Sequence, residues 1–189
     1  MLVILEGQAR TGKTSVTHEL IRRFRAAGIQ ARMFKSAVRS ENPAEAIITQ
    51  LLPLCFDDDC IWICDRAHIT EQVYTLYNKR DRPYPSLMIA RIDEIMAMSG
   101  SLLFYLVTET DILEQRMAAT GRESEGSIEM IRYIFEMYIR QSAITKRTID
   151  TTIFSIEQVT DMIFSAISMM TAEGETDELV GTDDDENLG

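Results

Sequence analysis

Gly7-Gln8-Ala9-Arg10-Thr11-Gly12-Lys13-Thr14 has the form G-x-x-x-x-G-K-[ST], a phosphate-binding loop. Glycine at the two fixed positions permits backbone turns closed to other residues, so successive N–H groups can converge on a polyphosphate. Lys13 is placed to reach the β- and γ-phosphates, and the Thr14 hydroxyl to sit on Mg²⁺. Gly7, Ala9, Arg10, Thr11, Gly12, Lys13, Thr14 and Ser15 form the candidate triphosphate-binding set. The flanks fit that use. Leu2-Val3-Ile4-Leu5 is an unbroken apolar run suited to a buried parallel strand. Val16, Leu20, Ile21 and Phe24 then recur at helical spacing, which puts a helix N-terminus and its partial positive charge at the loop. The stretch predicts a nucleoside triphosphate site.

Other residues supply charge at strand ends. Asp65 closes the apolar run Cys60-Ile61-Trp62-Ile63-Cys64, where a carboxylate beside a phosphate loop can hold Mg²⁺ directly or through water. Asp65 is also a good helix N-cap for the segment starting near Ala67, and the two roles are compatible. Arg66 can grip phosphate oxygens with its planar fork. Lys35 and Arg39 follow the second strand and suit an acceptor's phosphate, while Arg82 and Tyr84 sit in a loop with a cation and an aromatic ring for the acceptor. Arg116 and Arg122 flank Ala118-Ala119-Thr120-Gly121 and read as a basic segment able to close over a transferring phosphoryl group. Surface arginines with no such task are the plain alternative. Glu6 is expected to face the acceptor, His68 to make a structural hydrogen bond, and His18 to be inert.

The elements that must position these residues alternate. Strands are expected at residues 2–5, 29–34, 60–64, 102–107 and 151–156. Between them lie the helix after the loop and a short helix opened by Asn42-Pro43 and running through Ala46, Ile47 and Leu51. Further helices carry Ile69, Val73 and Leu76 on one face, then Met88, Ile92, Ile95 and Met96 inward. Later helices span 111–119 and about 124–144, the latter with Ile128, Ile131, Ile134, Phe135 and Tyr138 as its stripe, and a last one uses Val159, Ile163, Ala166, Ile167 and Met170. This alternation predicts an α/β fold with a parallel sheet of about five strands. Ligands in such sheets bind beyond the strand C-terminal ends, where the loop, Lys35, Asp65, Arg66 and Glu109 should gather.

Composition bounds the rest. A chain of 189 residues, 46% hydrophobic, can bury a sizeable core, and no apolar run reaches the length of a membrane span. Met1 leads straight into the first strand without a basic n-region, so no secretory signal is expected and the chemistry is expected to be cytoplasmic. Cys55, Cys60 and Cys64 read as reduced, buried thiols. The net charge of −11 is concentrated at one end, because residues 171–189 hold eight acids and no Lys or Arg. The remaining body has 22 acids against 19 bases, without the basic face of a duplex-DNA binder. The chain therefore divides into a domain at 1–170 and an acidic, disordered tail at 171–189.

Several segments resemble the thymidylate kinase and deoxynucleoside kinase group of P-loop kinases, in particular its small phage-type members. Leu5-Glu6-Gly7 is similar to the start of that group's loop, and Asp65-Arg66-Ala67-His68 with Thr70 to Tyr74 is similar to its "DR" motif and helix. Tyr105-Leu106, Gln115-Arg116-Met117, Gly121-Arg122-Glu123, Ile131-Arg132-Tyr133 and Tyr138 resemble its lid and following helix. The resemblance spans roughly residues 1 to 167 and implies a three-layer P-loop NTPase-type fold with a five-stranded parallel sheet and an Arg-bearing lid. It also implies ATP and Mg²⁺, with γ-phosphoryl transfer to a deoxynucleotide or deoxynucleoside. On this likeness Lys13, Asp65, Arg66, Arg116 and Arg122 are catalytic, and Thr14 and Asp65 serve the metal. The likeness also gives Arg66 to the acceptor or the transferred phosphate, while Lys35, Arg39, Arg82 and Tyr84 stand as acceptor-binding candidates on their own residue types and positions.

One departure bears on the acceptor. Nucleoside kinases of this group place a carboxylate just after the second strand, where this chain reads Phe34-Lys35-Ser36. A phosphate acceptor needs cations and no base, which favours a nucleoside monophosphate such as dTMP or a modified analogue. The alternatives are a deoxynucleoside kinase with Asp65 as base, a kinase of hydroxymethylated pyrimidine in DNA, and a nucleotide-binding adaptor acting through its acidic tail. The helix bearing Met88, Ile92, Ile95 and Met96 either pairs two subunits or belongs to the core.

Overall fold

The computed structural model describes residues 1–35, 47–79, 86–121 and 126–180. Five strands form one sheet: β1 (Leu2–Glu6), β2 (Ala31–Phe34), β3 (Ile61–Asp65), β4 (Leu102–Val107) and β5 (Thr145–Asp150). Among the described residues six α-helices connect or follow them: α1 (Lys13–Ala26), α2 (His68–Tyr77), α3 (Ser86–Met98), α4 (Thr110–Ala118), α5 (Ile128–Gln141) and α6 (Ile156–Val180). The sheet order is β2-β3-β1-β4-β5 and every pairing is parallel. A parallel sheet must be covered on both faces, and β1 shows how the chain achieves this. Leu2 and Ile4 pack with Ile69, Val73, Ile92, Met96 and Phe135 of α2, α3 and α5, while Val3 and Leu5 pack with Val16, Leu20, Phe24, Val159 and Ile163 of α1 and α6. Period-2 alternation along one fully buried strand thus feeds two cores. The result is a three-layer α/β sandwich with a five-stranded parallel sheet.

The boundaries differ from expectation where apolar pattern and burial part company. The fifth strand is not at 151–156: residues 145–150 form it, and their first four side chains face solvent. An edge strand needs little apolar surface, so it carries no hydrophobic signal, whereas Ile153 and Phe154 belong to the loop after it. The second strand starts at Ala31, leaving Ile29 exposed. The third includes Asp65. Helix α5 starts at Ile128, where the Ser127 hydroxyl accepts the Met130 N–H and caps it, and it ends at Gln141 rather than near 144 because Ser142 turns to ψ 137°; residues 124–125 lie outside the described residues. Leu76 and Ile95 face solvent, while Ile92 and Met96 are buried in the core. Residues 47–51 form a π-helical turn and 52–56 a 3-10 turn where a short helix was expected, and residues 42–46 of that segment lie outside the described residues. Helix α6 continues through Val180, so the first ten residues of the expected acidic tail have helical backbone, and 181–189 lie outside the described residues. Among the described residues no helix is long and apolar enough to cross a membrane. The three cysteines are buried free thiols.

Candidate nucleoside triphosphate site

The loop between β1 and α1 has the geometry its glycines allow. Gly7 has φ 139°, and a Cβ there would lie 2.3 Å from the Leu106 carbonyl oxygen. Gly12 occupies the N-cap position of α1 with φ 92° and offers no side chain, so the first N–H groups of α1 carry no side-chain cap. A helix start left open in this way is a ready anion site. Lys13 is 4% exposed, and its Nζ donates to the Gln8 carbonyl at 2.5 Å and to Thr11 Oγ1 at 3.0 Å. Burial, then the Arg66 guanidinium, lower its pKa to about 7, against the opposing pull of Asp65 and Glu6.

That shift predicts a proton count. A triphosphate beside Lys13 favours the ammonium and raises the pKa again, so binding at pH 8 must take up protons. Calorimetry of ATP binding without metal, in two buffers of different ionisation enthalpy, should show uptake approaching one proton at pH 8 and much less at pH 6.

Strand register brings the carboxylate in. Leu5 pairs with Asp65, and Asp65 Oδ2 accepts the Thr14 hydroxyl at 2.5 Å. The next residue, Arg66, turns through φ 79° and its N–H donates to the Leu5 carbonyl at 3.1 Å. Arg116 of α4 is anchored rather than loose: its Nη2 donates to the Thr151 carbonyl at 2.9 Å, and Nη1 lies 3.4 Å from the Arg10 carbonyl oxygen and the Thr108 and Thr151 hydroxyls. Ala9 to Ser15, Asp65, Arg66, Arg116, Thr151 and Phe154 line one cavity of about 710 Å³, and Gly7 shapes the loop without lining it. That is room for a nucleotide.

No protein-family model matches the chain, and no curated protein matches its sequence. Solved structures do match its fold. The YorR protein of Bacillus subtilis, determined in complex with phosphorylated GDP, has a TM-score of 0.74 at 18% identity, covering 91% of this chain and 98% of its own. Thymidylate kinase from Candida albicans follows at a TM-score of 0.59 and 14% identity, covering 90% and 92%. Deoxyadenosine kinase from M. mycoides, with dCMP and dCDP bound, gives 0.57 at 16% identity, covering 90% and 100%. The chain shares the fold of these structures.

Within this fold the expected site residues separate. Ala9 to Ser15, Asp65, Arg66 and Arg116 meet at the cavity. Lys35 is exposed beyond the end of β2, two strands from the loop, and does not line the cavity. Glu109 is exposed as well, its N–H donating to Thr152 Oγ1 at 2.7 Å. Arg39, Arg82, Tyr84 and Arg122 lie outside the described residues. His68 is buried with Nε2 2.9 Å from Asp93 Oδ1, tying α2 to α3, and His18 is exposed on α1. Asp93 also accepts the Ser142 hydroxyl at 2.7 Å and the Ala143 N–H. Burial alone would raise its pKa, but His68 and these donors hold it below the usual carboxylate value.

Glu6 corrects two expectations at once. It does not face the acceptor, and Asp65 does not cap α2. Glu6 is fully buried, with Oε1 accepting the Ala67 and Thr70 N–H groups at 3.0 and 3.2 Å and Oε2 accepting the Thr70 hydroxyl. Ala67, at the N-cap position, has no side chain for the task, so a carboxylate from β1 caps the helix from outside it. Glu6→Ala should lower stability by about 2–3 kcal/mol, since it strands buried donors that now meet a charge. Urea denaturation checks this, and a loss well under 1 kcal/mol would contradict the capping role. Thr151 and Phe154 are not legible as site residues because Thr151-Thr152-Ile153-Phe154-Ser155-Ile156, rich in β-branched and aromatic side chains, looks like strand. The polar stretch Thr145 to Thr148 was the available sign that the strand had ended earlier.

Proposed function

We propose that the chain is an ATP- and Mg²⁺-dependent phosphotransferase that passes the γ-phosphoryl group to a deoxynucleoside monophosphate, with dTMP or a modified pyrimidine analogue as first choice. The observation that carries this is the Thr14–Asp65 hydrogen bond beside buried Lys13, with Arg66 and Arg116 lining the same cavity. The set fits Mg²⁺ on its donor chemistry: one hydroxyl and one carboxylate in contact, and no protein cage of three or more His, Cys, Asp or Glu among the described residues. Mg²⁺ takes one or two such oxygens and completes its shell with phosphates and water. Thr14 and Asp65 would hold it, and it would neutralise charge on the β- and γ-oxygens.

The remaining work belongs to the chain. The open α1 N-terminus and Lys13 cradle the triphosphate, and Arg66 and Arg116 stabilise charge on the equatorial oxygens during transfer. Arg116 is already fixed by the Thr151 carbonyl, so its orientation costs little at the moment of reaction.

Two carboxylates near the loop are already engaged, Asp65 with Thr14 and Glu6 with α2, which favours an acceptor that is ionised and needs no base. The similar fold of YorR with phosphorylated GDP, and that of deoxyadenosine kinase with dCMP and dCDP, are consistent with a nucleotide at both ends of the transfer. The deciding experiment incubates the protein with ATP·Mg²⁺ and a panel of nucleosides, nucleoside monophosphates and duplex DNA, read by ADP release. A response to one monophosphate supports the reading. A response only to nucleosides or DNA replaces the acceptor, and silence with ATP bound replaces the enzyme by an adaptor.

A further inference from the structure

The phosphate loop is joined to α5 by one buried side chain. Gln8 Nε2 donates to the Ile128 carbonyl at 2.6 Å, across 120 positions of sequence, and Gln8 is only 5% exposed. The loop motif leaves this position free, so holding phosphate does not require an amide here. The main-chain carbonyl of the same residue accepts both Lys13 Nζ and the Thr11 hydroxyl. Gln8 therefore meets, at its two ends, the cation that must turn to a triphosphate and the first turn of α5.

That turn is also held from a second side. The Ser127 N–H donates to the Tyr77 hydroxyl at 2.8 Å, and a Cβ on Gly126 would lie 1.8 Å from that oxygen. Tyr77 ends α2, the helix whose start follows Asp65 and Arg66. Loop, α2 and α5 thus converge on residues 126–128.

We propose that Gln8 is a positioning residue that couples occupancy of the phosphate loop to the placement of α5, and through it α2. A triphosphate draws Lys13 Nζ away from the Gln8 carbonyl and frees that peptide to turn. The Gln8 amide carries the turn to Ile128. Ile131 and Phe135 of α5 share a close-packed core with Ile69 and Val73 of α2, so the two helices respond together. The coupling rests on the reading of the loop as a triphosphate site.

The test uses the full chain, Mg²⁺ and a non-hydrolysable ATP analogue with an imido β–γ bridge. Calorimetry measures binding, and hydrogen exchange follows the amides of residues 130–135. In the wild type, the analogue should change exchange there by about fivefold or more. In Gln8→Met, which keeps the volume and removes the donor, and in Gln8→Asn, which keeps the amide but shortens its reach, the analogue should still bind while the exchange response falls below about twofold. A purely structural bond would shift exchange equally with and without analogue. An undiminished response in whichever variant folds overturns the coupling, as does a wild type that binds analogue with no response at 130–135. A wild type that binds no analogue overturns the triphosphate reading first, and the coupling with it.

Discussion

Lys13→Ala is expected to lower phosphoryl transfer by about 10²–10³-fold or more while the protein still folds. Placement accounts for the lost rate. Lys13 opens the helix whose first N–H groups carry no side-chain cap, and the motif puts its side chain within reach of the β- and γ-phosphates of a bound triphosphate. The fold should be retained because burying the Lys13 charge is itself costly. Its pKa is lowered to about 7, chiefly because burial penalises the charge. Its removal leaves no orphan, since Thr11 Oγ1 still donates to the Gln8 carbonyl at 3.1 Å. Steady-state ADP release and thermal melting of the variant check both halves. Residual turnover within tenfold of wild type would remove Lys13 from the chemistry, and a collapsed melt would reassign it to folding.

Asp65→Asn is the second large effect, expected to cut turnover by about 10²-fold and to raise the Mg²⁺ concentration needed for half-maximal rate. The amide keeps the shape and can still accept the Thr14 hydroxyl, so the change isolates charge. A carboxylate serving the metal and one serving as base for an acceptor hydroxyl give different signatures. In the first case the loss is partly recovered at high Mg²⁺. In the second, Mg²⁺ dependence stays unchanged and added metal recovers none of the rate. Mg²⁺ titration of the variant across pH separates them.

The phosphate-loop half of the candidate site was legible in the chain because it is local. One eight-residue motif, the apolar run before it and the helical stripe after it place Lys13 and Thr14 without reference to anything distant. Asp65 and Arg66 were legible for a related reason, since an apolar run that stops abruptly in charge marks a buried strand's end. Contacts that depend on register were not. Glu6 looks like any strand-end acid until β1 lies beside β3 and the uncapped start of α2 appears beneath it. Gln8 occupies a position its motif leaves open, and its partner Ile128 is set by tertiary packing. The last strand was misplaced because a sheet edge asks for charge and β-structure rather than apolar side chains, and Thr145-Lys146-Arg147-Thr148 supplies that.

The central place of β1 has a consequence for how the molecule comes to exist. Its two neighbours are β3 and β4, and Leu5 must find Asp65 on one side and Phe104 on the other. Closing loops of that length is entropically slow, and parallel pairings are the late events of folding. A growing chain carries the whole phosphate-loop motif once Thr14 is made, yet β1 keeps an open edge until β4 arrives. Gly7 itself is shaped by close approach to the Leu106 carbonyl, an atom that reaches it only through that last pairing. If the loop holds a triphosphate as proposed, that binding requires the β1–β4 pairing and not the motif alone, and nascent or truncated chains ending before Val107 should be blind to nucleotide.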